Sequence, residues 1–352
     1  MSKGLYIHIP FCRRKCLYCD FYSVALCDGM AEEYTKAVIR NLSHYGGEFD
    51  TVYFGGGTPI LLAPYLGEML KAANITKNAE ITAECNPCEM TPHTLEMLRK
   101  SGVDRISAGV QSFNDNELTA LGRRHDSNTA RNAFLNAKAA GFDNISADLM
   151  LGIPQQTGES LARSLETLCS LPITHISAYM LKVEENTPFG KDTPTLPDED
   201  ETADMYLQTV QTLAQHGFGQ YEISNFAKRG YECRHNLKYW RCEEYLGIGP
   251  AAHSFIGGRR FAVARDLDGF LNSPVQKEVT TDAAPDEYEE RVMLGLRLKE
   301  GITEELWRPL ENGLKRIPKS YYSTENGRLS LTAEGFLLSN EIISILLGEC
   351  EV

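Results

Sequence analysis

Short apolar runs rich in Ile, Val and Tyr alternate with segments of helical period through the first two-thirds of the chain. The runs are too short for helices and are bounded by turn residues. They predict strands at 5–10, 51–54, 80–85, 105–110, 145–151 and 175–181. Between them, apolar positions at three- and four-residue spacing predict helices at 31–44, 64–73, 91–101, 129–140 and 159–168. Six β-then-α units imply an α/β fold built on a parallel sheet, because right-handed crossovers of this length join parallel neighbours.

After one more helix, near 200–216, the pattern changes. Residues 218–266 carry many glycines and aromatics, in "RHNLKYW" and "YLGIGPAAHS" among others. Residues 286–352 are mostly helical in period, with a hairpin over 321–331 turning at Asn326-Gly327. The expected organisation is a core at 1–217, a continuation at 218–284 carrying the His-Asn segment, and a smaller, mainly helical C-terminal domain at 285–352.

Composition narrows the function classes. Hydrophobic content of 42% and charged content of 24% are those of a globular protein. No apolar run approaches the roughly 20 residues of a membrane span, and the first residues show no signal-peptide pattern. A cytoplasmic protein is expected, with its ten cysteines kept reduced for metal or redox chemistry. The net charge of −13 argues against nucleic-acid binding through a general basic surface. Local basic groups remain at Arg13, Arg14 and Lys15, and at Arg259 and Arg260.

"FCRRKCLYCDF" holds three cysteines, Cys12, Cys16 and Cys19, spaced C-x3-C-x2-C. A closed zinc site takes four ligands and a disulfide framework an even number. Four thiolates normally hold a four-iron cluster, so three leave one iron with an exchangeable position. The amine and carboxylate of S-adenosylmethionine can chelate that iron. An electron from the cluster then breaks the sulfonium bond to give an adenosyl radical. Spacing alone also admits a zinc site completed by Cys27 or a histidine such as His8, or simple surface thiols without a metal. Further polar and glycine positions follow the predicted strands: Gly55-Gly56-Gly57-Thr58-Pro59 after the second, Glu84 at the third, Gln111 after the fourth and Asp148 in the fifth. Ligands bind at the carboxyl ends of such strands, so one site can collect them. Taken singly, the glycine run is a turn and each polar side chain a cap or solvent contact.

"IHIPFCRRKCLYCDF", "YFGGGTP", "ECNP", "SAGVQSF", "LGRRH" and "ADLMLGIP" together resemble the radical S-adenosylmethionine enzymes of the coproporphyrinogen dehydrogenase group, from about residue 5 to the C-terminal region. Within that group, "RHNLKYWRCEEYLGIGPAAHS" resembles the heme-chaperone branch, the HemW type. The resemblance implies a partial (βα)6 barrel with a [4Fe-4S] cluster on Cys12, Cys16 and Cys19. It implies S-adenosylmethionine contacts from Tyr6 and Tyr18, from Gly56, Gly57 and Thr58 at the amino-acid end, and from Glu84, Gln111, Arg123 and Asp148. Carboxylates, an amide and an arginine complement an ammonium, a sulfonium, a carboxylate and ribose hydroxyls.

Two functions follow from the resemblance. One is an oxygen-independent coproporphyrinogen III oxidase of porphyrin biosynthesis, decarboxylating propionate side chains by radical chemistry. The other, favoured, is a carrier that binds heme and delivers it to an acceptor protein. The dehydrogenase form has another cysteine two residues after the third ligand, where this chain has Phe21, and a long extension before the cysteines. His235-Asn236 with Tyr239-Trp240 matches the H-N-x-x-Y-W motif of the chaperone branch. Imidazole is a good axial ligand for heme iron, and flanking aromatics cover a flat macrocycle. His235 is therefore the expected ligand, against the alternative of a hydrogen-bonded structural corner. Cys233 and Cys242 are alternatives and His253 a weaker one, while Cys27, Cys169 and Cys350 are expected as structural thiols. Implied partners are heme, its acceptor, which includes the case of a membrane-associated one, and an electron donor such as flavodoxin or ferredoxin.

Overall fold

The computed structural model describes residues 2–348; Cys350 lies outside the described residues. All six expected strands are present: β1 (Lys3–Ile9), β2 (Glu48–Gly56), β3 (Asn74–Cys85), β4 (Arg105–Gln111), β5 (Asn144–Leu151) and β6 (His175–Met180). They lie side by side in chain order, and every neighbouring pair is parallel. β3 begins six residues before its expected start, because Asn74-Ile75-Thr76-Lys77-Asn78 is polar and gives no strand pattern. The crossovers carry α1 (Met30–Tyr45), α2 (Ala63–Ala72), α3 (Pro92–Ser101), α4 (Ser127–Ala139) and α5 (Gly158–Cys169), and α6 (Glu199–Gln215) follows β6.

Alternation along each strand separates two faces of the sheet. Leu5, Ile7 and Ile9 of β1, Val52 and Phe54 of β2, Ile106, Ala108 and Val110 of β4, and Ile145, Ala147 and Leu149 of β5 belong to one buried cluster. That cluster also holds Leu95 and Leu98 of α3, Phe134 of α4 and Leu161 and Leu165 of α5. Each of the larger aliphatic chains contributes about 1.5–3 kcal/mol on burial. The intervening residues are polar or aromatic: Tyr6 and His8, Thr51 and Tyr53, Thr82 and Glu84, Ser107 and Gly109, Ser146 and Asp148. Register aligns them into rows, with Tyr6 opposite Tyr53, Glu84 opposite Ser107, and Gly109 opposite Asp148. The polar face is thereby assembled from five consecutive strands.

Residues 218–284 extend the sheet at both ends. β7 (Gly219–Gln220) and β8 (Asn225–Ala227) add antiparallel strands beyond β6, while β9 (Tyr245–Ile248), β10 (His253–Ile256), β11 (Arg259–Val263) and β12 (Glu278–Asp282) extend it beyond β1. The result is an open, twelve-stranded sheet. β9 runs parallel to β1, with Tyr6 opposite Gly247. Its four residues fall inside a glycine-rich stretch, so the sequence pattern did not announce a seventh parallel strand. Between β8 and β9 lies α7 (Arg234–Trp240).

The C-terminal region is mainly helical around a three-stranded antiparallel sheet. The expected hairpin pairs Tyr322–Glu325 with Arg328–Leu331, and Asn326 and Gly327 both take positive φ, 53° and 74°, as a two-residue type I′ turn requires. Leu296, Ile302, Leu310 and Phe336 from this region join the same buried cluster as the barrel strands.

Candidate functional site

The cysteine loop leaves β1 and is held at its base by a short parallel pairing of Phe11–Cys12 with Val24–Ala25. Within it, the Cys19 amide donates to the Cys16 carbonyl at 3.3 Å. Cys12, Cys16 and Cys19 line a cavity of about 130 Å³ together with Tyr18, Gly56, Gly57, Thr58, Glu84, Gln111, Arg123 and Asp148. Of the residues expected at the site, this gathers all but Tyr6 and His235.

A hydrogen-bonded chain ties the thiols to the barrel. The Thr58 hydroxyl donates to Cys12 Sγ at 3.5 Å and accepts from Asn86 Nδ2 at 2.9 Å. Asn86 Oδ1 accepts from Arg123 Nη2 at 2.9 Å, and Arg123 Nη1 donates to Cys16 Sγ at 3.4 Å and reaches the Tyr18 hydroxyl at 3.5 Å. Arg123 also donates to the Gly109 carbonyl. Asn86 thus couples two strand-end loops to two cysteines. Asn86 was not among the residues expected at the site; the segment "ECNP", which contains it, was the available signal. Donors aimed at sulfur favour thiolate and are one of the means by which a protein tunes an iron–sulfur cluster. Burial pushes the Cys19 thiol up from its ordinary pKa, a cost that coordination to a metal would remove.

The three thiols fit a multi-iron group better than a lone ion. Among the described residues, no three His, Cys, Asp or Glu side chains converge as a single bound metal requires, whereas a cluster takes one thiolate per iron. Neither proposed fourth zinc ligand is placed for the role. His8 spends both ring nitrogens, on the Tyr6 hydroxyl at 3.1 Å and the Tyr22 carbonyl at 2.9 Å, and Cys27 is exposed with its thiol toward the Ala25 carbonyl.

The glycine run is a close-packing device. A Cβ on Gly57 would lie 2.6 Å from the Phe11 carbonyl oxygen, and one on Gly56 2.6 Å from the His8 ring. Gly57 N–H donates to the Ile9 carbonyl and Thr58 N–H to that of Phe11, each at 2.8 Å. Gly56 also sits at φ +107°, a conformation that suits glycine, and donates its N–H to Glu84 Oε2 at 3.1 Å. The glycines dock the end of β2 on the backbone that carries the cysteines.

Two carboxylates stand in the cavity wall. Glu84 accepts from the Tyr53 hydroxyl at 3.0 Å, and Asp148 from the Ser107 hydroxyl at 3.2 Å. Burial, followed by the charge of Asp148, raises Glu84 to about 7, and burial raises Asp148 to about 6. A cationic ligand between them would favour the ionised forms. Gln111, at the end of β4, holds a positive φ of 74°, uncommon outside glycine, while its side chain accepts from the Tyr179 hydroxyl at 3.0 Å.

Beside this cavity lies a second, of about 580 Å³, lined largely by aromatic rings: Phe21, Tyr22, Tyr53, Tyr239 and Tyr245, with Tyr6, His8, His235 and His253. Glu84 and Phe21 border both cavities. Tyr6 faces this chamber because it shares the inner face of β1 with His8, and its ring stacks on Tyr53 at 6.2 Å. His235 is 1% exposed. Its Nδ1 pairs with the Thr51 hydroxyl and its Nε2 with the Tyr239 hydroxyl, both at 2.8 Å, and Tyr53 stacks on the ring at 5.2 Å. Burial pushes its pKa down to about 3, with Lys238 and Arg105 adding to the shift. Both ring nitrogens are thus hydrogen-bonded, as a structural corner would have them. Cys233 is buried with its thiol toward Glu80, and Cys242 lies away from the chamber's lining.

Comparison with known proteins places these features. The Radical SAM superfamily model matches residues 6–168. The chain is 35% identical to the heme chaperone HemW of Bacillus subtilis (strain 168) over 99% of this chain and 100% of that protein. It is 35% identical to the heme chaperone HemW of Escherichia coli (strain K12) over 98% of each. Coproporphyrinogen III oxidase (HemN) from Escherichia coli, a radical SAM enzyme, superposes with a TM-score of 0.83 at 21% identity over 98% of this chain and 90% of that one, which establishes a common fold. With three closely spaced thiols at the end of the first strand of an open β/α barrel, and full-length similarity of this degree, the chain belongs to the HemW heme-chaperone family of the radical SAM superfamily.

Proposed function

We propose that the protein binds heme in the aromatic chamber, holds a [4Fe-4S] cluster and S-adenosylmethionine in the neighbouring cavity, and delivers heme to an acceptor protein. The observation that supports this most is the contiguity of the two cavities across Glu84 and Phe21. Cys12, Cys16 and Cys19 would anchor the cluster, with Arg123 and Thr58 donating to two of their sulfurs. Glu84 and Asp148 would face the ammonium and sulfonium charges, Gly56, Gly57 and Thr58 would receive the amino-acid end, and the other cavity residues would orient the nucleoside. When bound, cluster and nucleotide supply one-electron chemistry. Phe21, 63% exposed at the shared border, would limit water passing between the chambers.

The exposed basic loop at Arg13, Arg14 and Lys15 suits docking of an acidic one-electron donor such as flavodoxin or ferredoxin. The acceptor is a protein, the case of a membrane-associated one included. No helix of the described residues is long and apolar enough to cross a membrane. Titrating anaerobically reconstituted protein with hemin tests the proposal, and a saturable Soret change is expected. Its absence, together with conversion of coproporphyrinogen to protoporphyrinogen under reducing conditions, would transfer the assignment to the oxidase reading.

A further inference from the structure

Three histidines line the aromatic chamber: His8, His235 and His253. His8 and His235 are 3% and 1% exposed, and each has both ring nitrogens hydrogen-bonded. An imidazole ligates iron through a nitrogen lone pair, so either would first have to surrender a buried hydrogen bond and leave its partner unpaired. An unsatisfied buried polar group is costly. The tyrosines of the chamber are similarly committed. Tyr6 pairs with His8, Tyr53 with Glu84 and Tyr239 with His235, while Tyr22 accepts from the Leu267 amide and Tyr245 from Arg260.

His253 differs from all of these. It opens β10, is exposed, and contributes to the chamber wall without a side-chain hydrogen bond or ring contact to any of the described residues. Its backbone is fixed by pairing with Ala262 of β11. Partial burial and the charges of Arg265 and Arg260 lower its pKa, which favours the neutral ring that metals require. Arg265 lines the same chamber, and its guanidinium uses one donor on the Asp20 carbonyl at 2.9 Å, leaving others for a carboxylate.

We propose that His253, rather than His235, supplies the axial nitrogen to heme iron, with Arg265 receiving a propionate. This rests on the reading that the chamber takes heme. It holds the metal near the chamber's exposed side, where an acceptor's ligand can displace an accessible imidazole. Ligation by His235 would bury the iron behind a side chain packed under Tyr53 and Tyr239.

The test is hemin titration of wild-type, His253→Ala and His235→Gln proteins, read by Soret position and by the spin state in electron paramagnetic resonance. Thermal melts serve as the folding control. Wild type is expected to show a saturable, histidine-ligated spectrum. His253→Ala should lose that signature, weaken hemin binding about tenfold or more, and regain the signature on adding free imidazole. His235→Gln should keep it. A His253→Ala spectrum that overlays wild type, or loss of the signature in a normally melting His235→Gln, overturns the assignment while leaving heme binding intact. A wild-type protein without any saturable Soret change removes the heme reading itself, and this assignment with it.

Discussion

Asn86 carries more of the cysteine site than its size implies, because its amide is both donor to Thr58 and acceptor from Arg123. Asn86→Ala leaves both partners short of a hydrogen bond beside Cys12 and Cys16. We expect a stability loss of about 1–3 kcal/mol and lower iron and sulfide retention after anaerobic reconstitution, measured by thermal melting and metal analysis. Retention equal to wild type would show that the thiols need no such support. Glu222 tests the electrostatics away from the cavities. It is fully buried, accepts from the Ser224 amide at 3.2 Å, has one unpaired oxygen, and is raised to about 7 by burial. The folded state therefore binds its proton more tightly than the unfolded chain. Stability from this group is present below the unfolded carboxylate range, declines as pH rises through about 7, and stays lost above it. Glu222→Gln should raise the melting temperature at pH ~8, by up to about 3 kcal/mol of stability, and the gain should vanish towards pH ~4.5. A gain independent of pH would exclude this cause.

At the scale of elements, α7 is seven residues long, and the side chain of Cys233 at its N-cap does not cap it. A helix N-terminus leaves amides unsatisfied and favours negative charge. Glu80 of β3 meets both needs, accepting from the Arg234 and His235 amides at 3.2 Å each. Glu80→Ala is expected to lower the urea midpoint by about 2 kcal/mol of stability without changing the slope; an unchanged midpoint would show that the helix is held by packing alone. Docking of the glycine turn is the other element-level contact. Gly57→Ala must push a methyl against the Phe11 and Ile9 carbonyls, a steric cost of about 1–3 kcal/mol. It should depress cluster retention and melting temperature together. The regular elements were legible because period and length are local properties. The polar start of β3 and the four residues of β9 were not, since pairing with β2 and β1 is what makes them strands.

Across the molecule, the adjoining chambers make a linkage expected. Glu84 borders both, so a cation bound on one side changes the charge presented to the other. S-Adenosylmethionine should shift the hemin dissociation constant, hemin should shift that of S-adenosylmethionine by the same factor, and Glu84→Gln should shrink both effects. Independent affinities in paired titrations would show that the shared border transmits nothing.

Cysteine spacing, strand and helix periods, and the family-like segments were determined by the sequence alone, since each depends on residues close together in the chain. Only the tertiary structure decided which side chains share a chamber: Tyr6 lines the aromatic one beside His8 and Tyr53, and Asn86 joins Thr58 to Arg123. It also decided that His235 meets Thr51, 184 positions away, and Tyr239, while among the described residues none bonds the ring nitrogens of His253. The physical reason is that a lone pair's availability depends on what the fold sets against it, and no local pattern records such distant partners.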